Sequence, residues 1–223
     1  MDPDSEQLRR ILQSKSWFGF DLDDTLHEFR KASRAATTHC LNHIANKSQP
    51  TLRDLQDQYA IILKQGTAEA FTDGFHRRQD FPRLSSSPLY CHVEPFRIGP
   101  RRRATSLLQA IKRSGRKIAV ITEGPQDAQE RAVRDLGIEQ YVDFLATTNY
   151  FGVAKTSGLF GKVLEHLNVQ SHAMVFTGDS QERDIEPATK EGIYAIHLAE
   201  DQTEPLVLQR RSVNSLDVVA RLI

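Results

Sequence analysis

Three acids crowd one short segment of the chain: Asp21, Asp23 and Asp24, after the apolar run Trp17-Phe18-Gly19-Phe20 and just before Thr25. Carboxylates gathered at a strand end repel one another, so the cluster is costly unless a cation sits among them. A hard dication such as Mg²⁺ takes carboxylate, carbonyl and water oxygens in octahedral geometry. Residues i and i+2 of an extended segment point the same way, so Asp21 and Asp23 can face one reaction centre. There one carboxylate can attack while the other manages protons. Taken alone, the run fits a calcium loop or a solvated acidic turn as well.

A second acidic cluster follows the apolar run Met174-Val175-Phe176. Thr177 and Gly178 lead to Asp179, with Glu182, Asp184 and Glu186 close behind. Gly178 permits close backbone approach, and Asp179 projects into the same crevice as Asp21 if the two strands are neighbours. Helix capping by Asp179 or Ser180, worth about 1 kcal/mol, accounts for one acid. It does not account for two strand-terminal clusters in a chain of zero formal net charge. A third run, Ile118-Ala119-Val120-Ile121, ends at Thr122-Glu123-Gly124. A hydroxyl and backbone N–H groups ahead of a helix form a cradle for phosphate oxygens, although a plain strand-to-helix turn reads the same way. Lys155, in a loop of small residues, can offset both acids and phosphoryl oxygens; by itself it reads as an ordinary surface lysine.

These residues need elements that bring them together. Short apolar runs at 17–20, 118–121, 144–146, 174–176 and 193–196 have the length of strands buried on both faces. Helix-patterned stretches, Gln126–Leu136, Leu159–Leu167 and Glu182–Lys190, alternate with them from the second run onward. That alternation predicts an α/β fold with a parallel sheet wrapped by helices. Between the first two runs the pattern breaks. From about Glu28 to Pro95 there is no strand pattern, and Phe29–Lys47, Leu52–Gln65 and Ala68–Gln79 read as helices. Pro50, Gly66 and the tract Ser85-Ser86-Ser87-Pro88 punctuate them. An all-helical insert is therefore expected over the C-terminal edge of the first strand, where open parallel sheets bind ligands. An independent helical domain unrelated to the site is the alternative.

The bulk properties narrow the partners. The 223 residues suffice for one α/β domain with an insert, or for two small domains. Basic and acidic residues balance, so no global field draws the chain to nucleic acid or to an anionic membrane. The run Arg101-Arg102-Arg103 reads as a solvated helix end. The two cysteines, Cys40 and Cys91, read as reduced thiols. Residues 1–10 carry no signal-peptide core, and no apolar run approaches the ~18–20 residues of a membrane span. The expected setting is cytoplasmic, as a monomer or weak dimer. None of the histidines is assigned as a metal ligand. In the insert, Lys64, His76, Arg77 and Arg78 are candidate contacts to a leaving group, with a solvated charged face as the plainer reading.

Taken together, the four segments resemble the haloacid dehalogenase-like hydrolases. The order is an Asp-x-Asp-x-Thr run at 21–25, a strand ending in Thr122, a lone Lys155, and Gly178-Asp179-Ser180 followed by Asp184. The resemblance spans about Phe18 to Leu198. It implies a Rossmann-like core of residues 1–27 and 96–223 and a type-one helical cap of residues 28–95. It implies that Asp21 is the nucleophile, forming an aspartyl-phosphate, and that Asp23 is the acid and then the base. Mg²⁺ would be held by Asp21, Asp179 and the carbonyl of Asp23, with Asp184 in support. Thr122, Glu123, Gly124 and Lys155 would surround the phosphoryl group. One departure is Glu123, where the family often has Asn; an acid there must turn away from phosphate or meet a cation. The implied function is Mg²⁺-dependent hydrolysis of a small phosphorylated metabolite. A nucleotidase or a sugar phosphomutase on the same core is an alternative. A metal-independent 2-haloacid dehalogenase fits less well, because those enzymes generally lack the second Asp of the first motif.

Overall fold

The computed structural model describes residues 2–46, 51–54, 56, 57, 60 and 99–223. The readings at 68–79, at most of 52–65 and at 85–88, and those for Lys64, His76, Arg77, Arg78 and Cys91, lie outside these residues. The chain divides into two compact units, Met1–Phe29 with Ile98–Ile223, and Arg30–Arg97.

The larger unit is built on one seven-stranded sheet. Its strands are β1 (Trp17–Phe20), β2 (Lys117–Thr122), β3 (Phe144–Thr147), β4 (Met174–Gly178), β5 (Tyr194–Leu198), β6 (Leu206–Val207) and β7 (Ser212–Val213). They lie in the order β3-β2-β1-β4-β5-β7-β6. All pairings are parallel except β6 with β7. This is the parallel α/β sheet that the alternating pattern predicts, and the Rossmann-like core that the resemblance implies. Helices α1 (Pro3–Gln13), α3 (Ala104–Arg113), α4 (Gln126–Asp135), α6 (Leu159–Leu167), α7 (Glu186–Lys190) and α8 (Leu216–Leu222) cover its faces; α2 and α5 are described below.

Period-two alternation sorts the strand residues between two cores. Phe18, Phe20, Ile118, Val120 and Val175 join one core with Leu12 of α1, Leu108 and Ile111 of α3 and Val219 of α8. Their neighbours Trp17, Ala119, Ile121, Met174 and Phe176 face the other, with Phe160 and Val163 of α6 and Ala188 of α7. A slip of one residue in β1 would exchange the two sets, and each large side chain so displaced forfeits about 1.5–3 kcal/mol of burial. The register is therefore fixed, and with it the position of every strand end.

The strand order reverses at β1, between β2 and β4. Phe20 pairs with Val120 on one side and Thr177 on the other. The Asp21 N–H continues that pairing onto the Thr177 carbonyl at 3.0 Å. Asp21, Thr122 and Asp179 thus leave adjacent strands at one edge, the crevice where such sheets bind ligands.

Two details differ from the sequence reading. The stretch read as a helix at Glu182–Lys190 starts with a π-helical turn, Gln181–Ile185, ahead of α7. Pro187 has no N–H to return to the carbonyl of Arg183, so the regular ladder cannot extend through this turn. The short strands β6 and β7 lacked a periodic signal, since two residues cannot show one.

Helix α2 (Phe29–Ala45) belongs, after its first residue, to the smaller unit. A helical turn at 52–54 opens with reciprocal bonds between Thr51 and Asp54: the Thr51 N–H and hydroxyl donate to the Asp54 carboxylate at 3.1 and 2.6 Å. Among the described residues, no helix is long and apolar enough to cross a membrane.

Candidate active site

Lys155 occupies the centre of the crevice. It opens the 3₁₀ turn Lys155–Ser157, and it is 3% exposed. Its Nζ donates to Asp21 Oδ1 at 2.5 Å and to Asp184 Oδ1 at 2.6 Å. Burial alone would lower the lysine pKa; the charges of Asp21 and Asp184 outweigh that and raise it. Lys155 is accordingly a fixed cation. Burial pushes the carboxyl of Asp21 up to about 7, opposed by the Lys155 charge and reinforced by Asp184 and Asp23.

Asp184 reaches this point through the π turn. Ser180 caps that turn, its hydroxyl accepting the Arg183 N–H at 3.3 Å, while the Ser180 N–H donates to Asp184 Oδ2 at 3.0 Å. The capping reading therefore holds for Ser180, and both carboxylate oxygens of Asp184 are engaged. Gly178 makes the approach possible, because a Cβ there would lie 2.6 Å from the Cβ and Cγ of Asp184. Gly178→Ala is expected to push Asp184 off Lys155 and to destabilise the protein by about 1–3 kcal/mol. Urea unfolding of the two proteins measures it.

One ligand atom each from Asp21, Asp179 and Asp184 lies within 4.8 Å of the others. Oxygen donors gathered this closely suit a hard dication such as Mg²⁺, which prefers carboxylate ligands. The carbonyl of Asp179 meets His197 Nε2 at 3.0 Å, which steadies the residue's backbone.

The phosphate cradle is assembled in part. The hydroxyl of Thr122 is buried and has no protein partner. Such groups are uncommon in native structures and mark places where a ligand or water completes the bonding. The Gly124 N–H is committed to the Thr148 hydroxyl at 3.0 Å, near the start of the short helix α5 (Thr148–Phe151). Glu123 faces the Lys155 backbone, accepting its N–H at 3.4 Å, and lies 3.8 Å from the guanidinium of Arg183. The acid that departs from the family pattern thus meets a cation and the lysine loop.

Two residues and a cavity escaped the sequence reading. Arg101, taken with Arg102 and Arg103 as a solvated helix end, is 8% exposed; its neighbours in the run are exposed as expected. Its partners are the Asp24 carbonyl and the carboxylate of Glu200, 99 residues away. Nothing local in the sequence signals a pairing at that separation. His27 is buried, with Nδ1 3.5 Å from Asp23 Oδ1. A cavity of about 620 Å³ lined by Gln181, His197, Asp201, Glu204 and Arg210 lies beside β5. Asp21, Thr122 and Lys155 are not in its wall, but His197, which bonds the Asp179 carbonyl, is.

A profile of the family described as haloacid dehalogenase-like hydrolase matches residues 19–198. A glyceraldehyde 3-phosphate phosphatase of Methanocaldococcus jannaschii is 28% identical over 110 residues, 49% of this chain and about half (48%) of that protein. The enzyme of the same name from Methanothermobacter thermautotrophicus is 25% identical over 200 residues, 83% of this chain and 86% of its own. Among solved structures, the HAD-hydrolase YfnB of Bacillus subtilis, bound to magnesium, superposes with a TM-score of 0.67 at 21% identity, over 93% of this chain and 98% of that one. At that identity the likeness concerns the fold.

Proposed function

The chain belongs to the haloacid dehalogenase-like hydrolase family, and from that premise we propose that it is a Mg²⁺-dependent phosphatase acting on a small phosphorylated metabolite. The observation that carries the proposal is the buried Lys155 ammonium held between Asp21 and Asp184, with Asp179 alongside. A carboxylate nucleophile, a fixed cation for the phosphoryl oxygens and a set of oxygen donors for a dication meet at one strand edge.

In this reading an Asp21 carboxylate oxygen attacks phosphorus and the ester P–O bond breaks, leaving an aspartyl-phosphate. Asp23 gives its proton to the departing oxygen. Asp23 then takes a proton from water as that water attacks the same phosphorus. Inorganic phosphate leaves and Asp21 returns as a carboxylate. Lys155 offsets the charge on the phosphoryl oxygens, and the Thr122 hydroxyl donates to one of them. Asp21, Asp179 and the Asp23 carbonyl would hold Mg²⁺, which when bound adds charge neutralisation at the phosphoryl oxygens. Asp184, with both oxygens engaged, supports the site through Lys155. Glu123 sets the lysine loop and gives Arg183 a partner. Gly124 shapes the turn, since a Cβ there would meet Gln129 Nε2 at 2.8 Å. Residues 28–95 serve as a helical cap that selects the leaving group. The names of the relatives make glyceraldehyde 3-phosphate the first substrate to try.

The test is release of inorganic phosphate from p-nitrophenyl phosphate and from glyceraldehyde 3-phosphate, with Mg²⁺ and with EDTA. Turnover that survives EDTA rules out the metal; no turnover of any phosphate ester rules out the reaction.

The raised Asp21 pKa adds a pH signature. The group ionises near 7 when folded and near 3.8 when unfolded, so its contribution to stability is complete below about pH 4 and is lost as pH rises through 7. Mg²⁺ favours the ionised form. At 100 times its Kd, Mg²⁺ is expected to contribute about 2.7 kcal/mol, roughly 5–10 °C in Tm, at pH 8. At pH 6 the shift at the same concentration should be smaller. Scanning fluorimetry at the two pH values reads the difference.

A further inference from the structure

The loop that carries Asp23 is fastened to the segment at 99–101 by contacts that the reaction scheme above does not use. His27 forms a parallel bridge with Asp23 and an antiparallel bridge with Pro100. The Arg101 N–H donates to the Leu26 carbonyl at 2.7 Å. The Arg101 side chain folds back: Nη2 donates to the Asp24 carbonyl at 2.6 Å, while Nη1 forms an ion pair with Glu200. Burial disfavours the guanidinium charge, and Glu28, Asp24 and Asp179 counter that.

Asp24 is where this anchoring matters. Its φ is 64°, the left-handed region, which costs a residue with a Cβ roughly 1–2 kcal/mol. The next side chain back along the chain is Asp23, whose carboxylate is 32% exposed. His27 Nδ1, 3.5 Å from it, is beyond a good hydrogen bond. The direction of the Asp23 carboxyl is therefore inherited from the backbone, and the backbone is held by Arg101.

We infer that Arg101 is a positioning residue for Asp23: it clamps the left-handed turn at Asp24 and so aims the Asp23 carboxyl at the leaving oxygen. This rests on the proposed role of Asp23 as proton donor. The guanidinium fork suits the task, because its separate terminal nitrogens reach the carbonyl and the carboxylate from one rigid plane, where an ammonium is a single point on a flexible stem.

The experiment compares two esters of nearly the same shape, phenyl phosphate and p-nitrophenyl phosphate. Phenolate is the more basic leaving group and needs the donated proton; nitrophenolate largely does not. The readout is kcat/KM, which reports the steps up to phosphorylation of Asp21. Arg101→Met is expected to lower kcat/KM for phenyl phosphate at least roughly tenfold more than for p-nitrophenyl phosphate, a fraction of the usual contribution of a general acid. Arg101→Lys keeps a cation among Asp24, Glu28 and Asp179 and should show the same preference, reduced. It serves if the Met variant does not fold. Asp23→Asn is the reference. If Asp23→Asn shows the preference and the Arg101 variants lose both substrates equally, or lose neither, the inference is overturned and the proposed function stands. If Asp23→Asn shows no preference, or the wild type hydrolyses neither ester, the proton-donor reading fails and the inference fails with it.

Discussion

Asp21→Asn is expected to reduce kcat on p-nitrophenyl phosphate by a factor on the order of 10⁴–10⁶, the range seen when a covalent nucleophile is removed. The amide keeps the shape and cannot form the acyl phosphate. The variant should not be a weaker protein. The wild-type carboxyl is buried and pushed up to about 7, so at pH 8 it is ionised against a cost that asparagine does not bear. Lys155 retains Asp184 as its partner at 2.6 Å. The Tm of metal-free Asp21→Asn at pH 8 should therefore equal or exceed that of the wild type, while the Mg²⁺-induced rise shrinks. Steady-state kinetics beside scanning fluorimetry checks both halves. A variant with wild-type turnover removes Asp21 from the chemistry; one that unfolds gives Asp21 a structural part that the geometry does not assign to it.

Lys155→Met has the opposite profile, damaging both stability and rate. Removing one member of a buried ion pair leaves uncompensated charge and costs about 3–5 kcal/mol. Here two carboxylates lose the cation together. For a chain of this size that is roughly 6–20 °C in Tm. The loss should be smaller at pH 6 than at pH 8, because protonating a carboxylate relieves the repulsion that the lysine had cancelled. Turnover should fall on the order of 10²–10³, as when one donor to transition-state charge is deleted. Lys155→Arg is not expected to rescue: a planar fork cannot occupy the place of an ammonium held within 2.5 and 2.6 Å of two oxygens. Thermal melts at the two pH values, with phosphate-release rates, make the comparison.

The sequence carried the sheet well because buried parallel strands are written as short apolar runs. The runs at 17–20, 118–121, 144–146, 174–176 and 193–196 correspond to β1 to β5, and Leu159–Leu167 matches α6. That Asp21 and Asp179 share an edge was also legible, since each directly follows a strand and strand ends of one parallel sheet share an edge; Lys155 and Asp184 lie farther along, past α5 and within the π turn, and the resemblance is what tied them to the site. What stayed hidden depended on separation or on geometry finer than periodicity. The burial of Arg101 follows from Glu200, far along the chain, and from a carbonyl, which has no letter of its own. The π turn that delivers Asp184 differs from an α-helix by one residue per turn, and only Pro187 hints at it. The Gly124 N–H reads as a donor to phosphate until Thr148 is seen beside it.

The pairing of His27 with Pro100 has a consequence for how such a protein can diversify. The two chain segments that leave and re-enter the core are neighbours, so the core is indifferent to how much polypeptide lies between them. Each doubling of an inserted loop adds only about 0.6 kcal/mol of closure entropy. The core is expected to tolerate changes in the length of that stretch at a modest cost in stability. A graft that joins residue 27 to residue 100 through a foreign module should leave the register of β1 and the Asp21–Lys155 contact as they are. On the proposed role of residues 28–95, new substrate ranges would then arise by transplantation, without relearning the reaction.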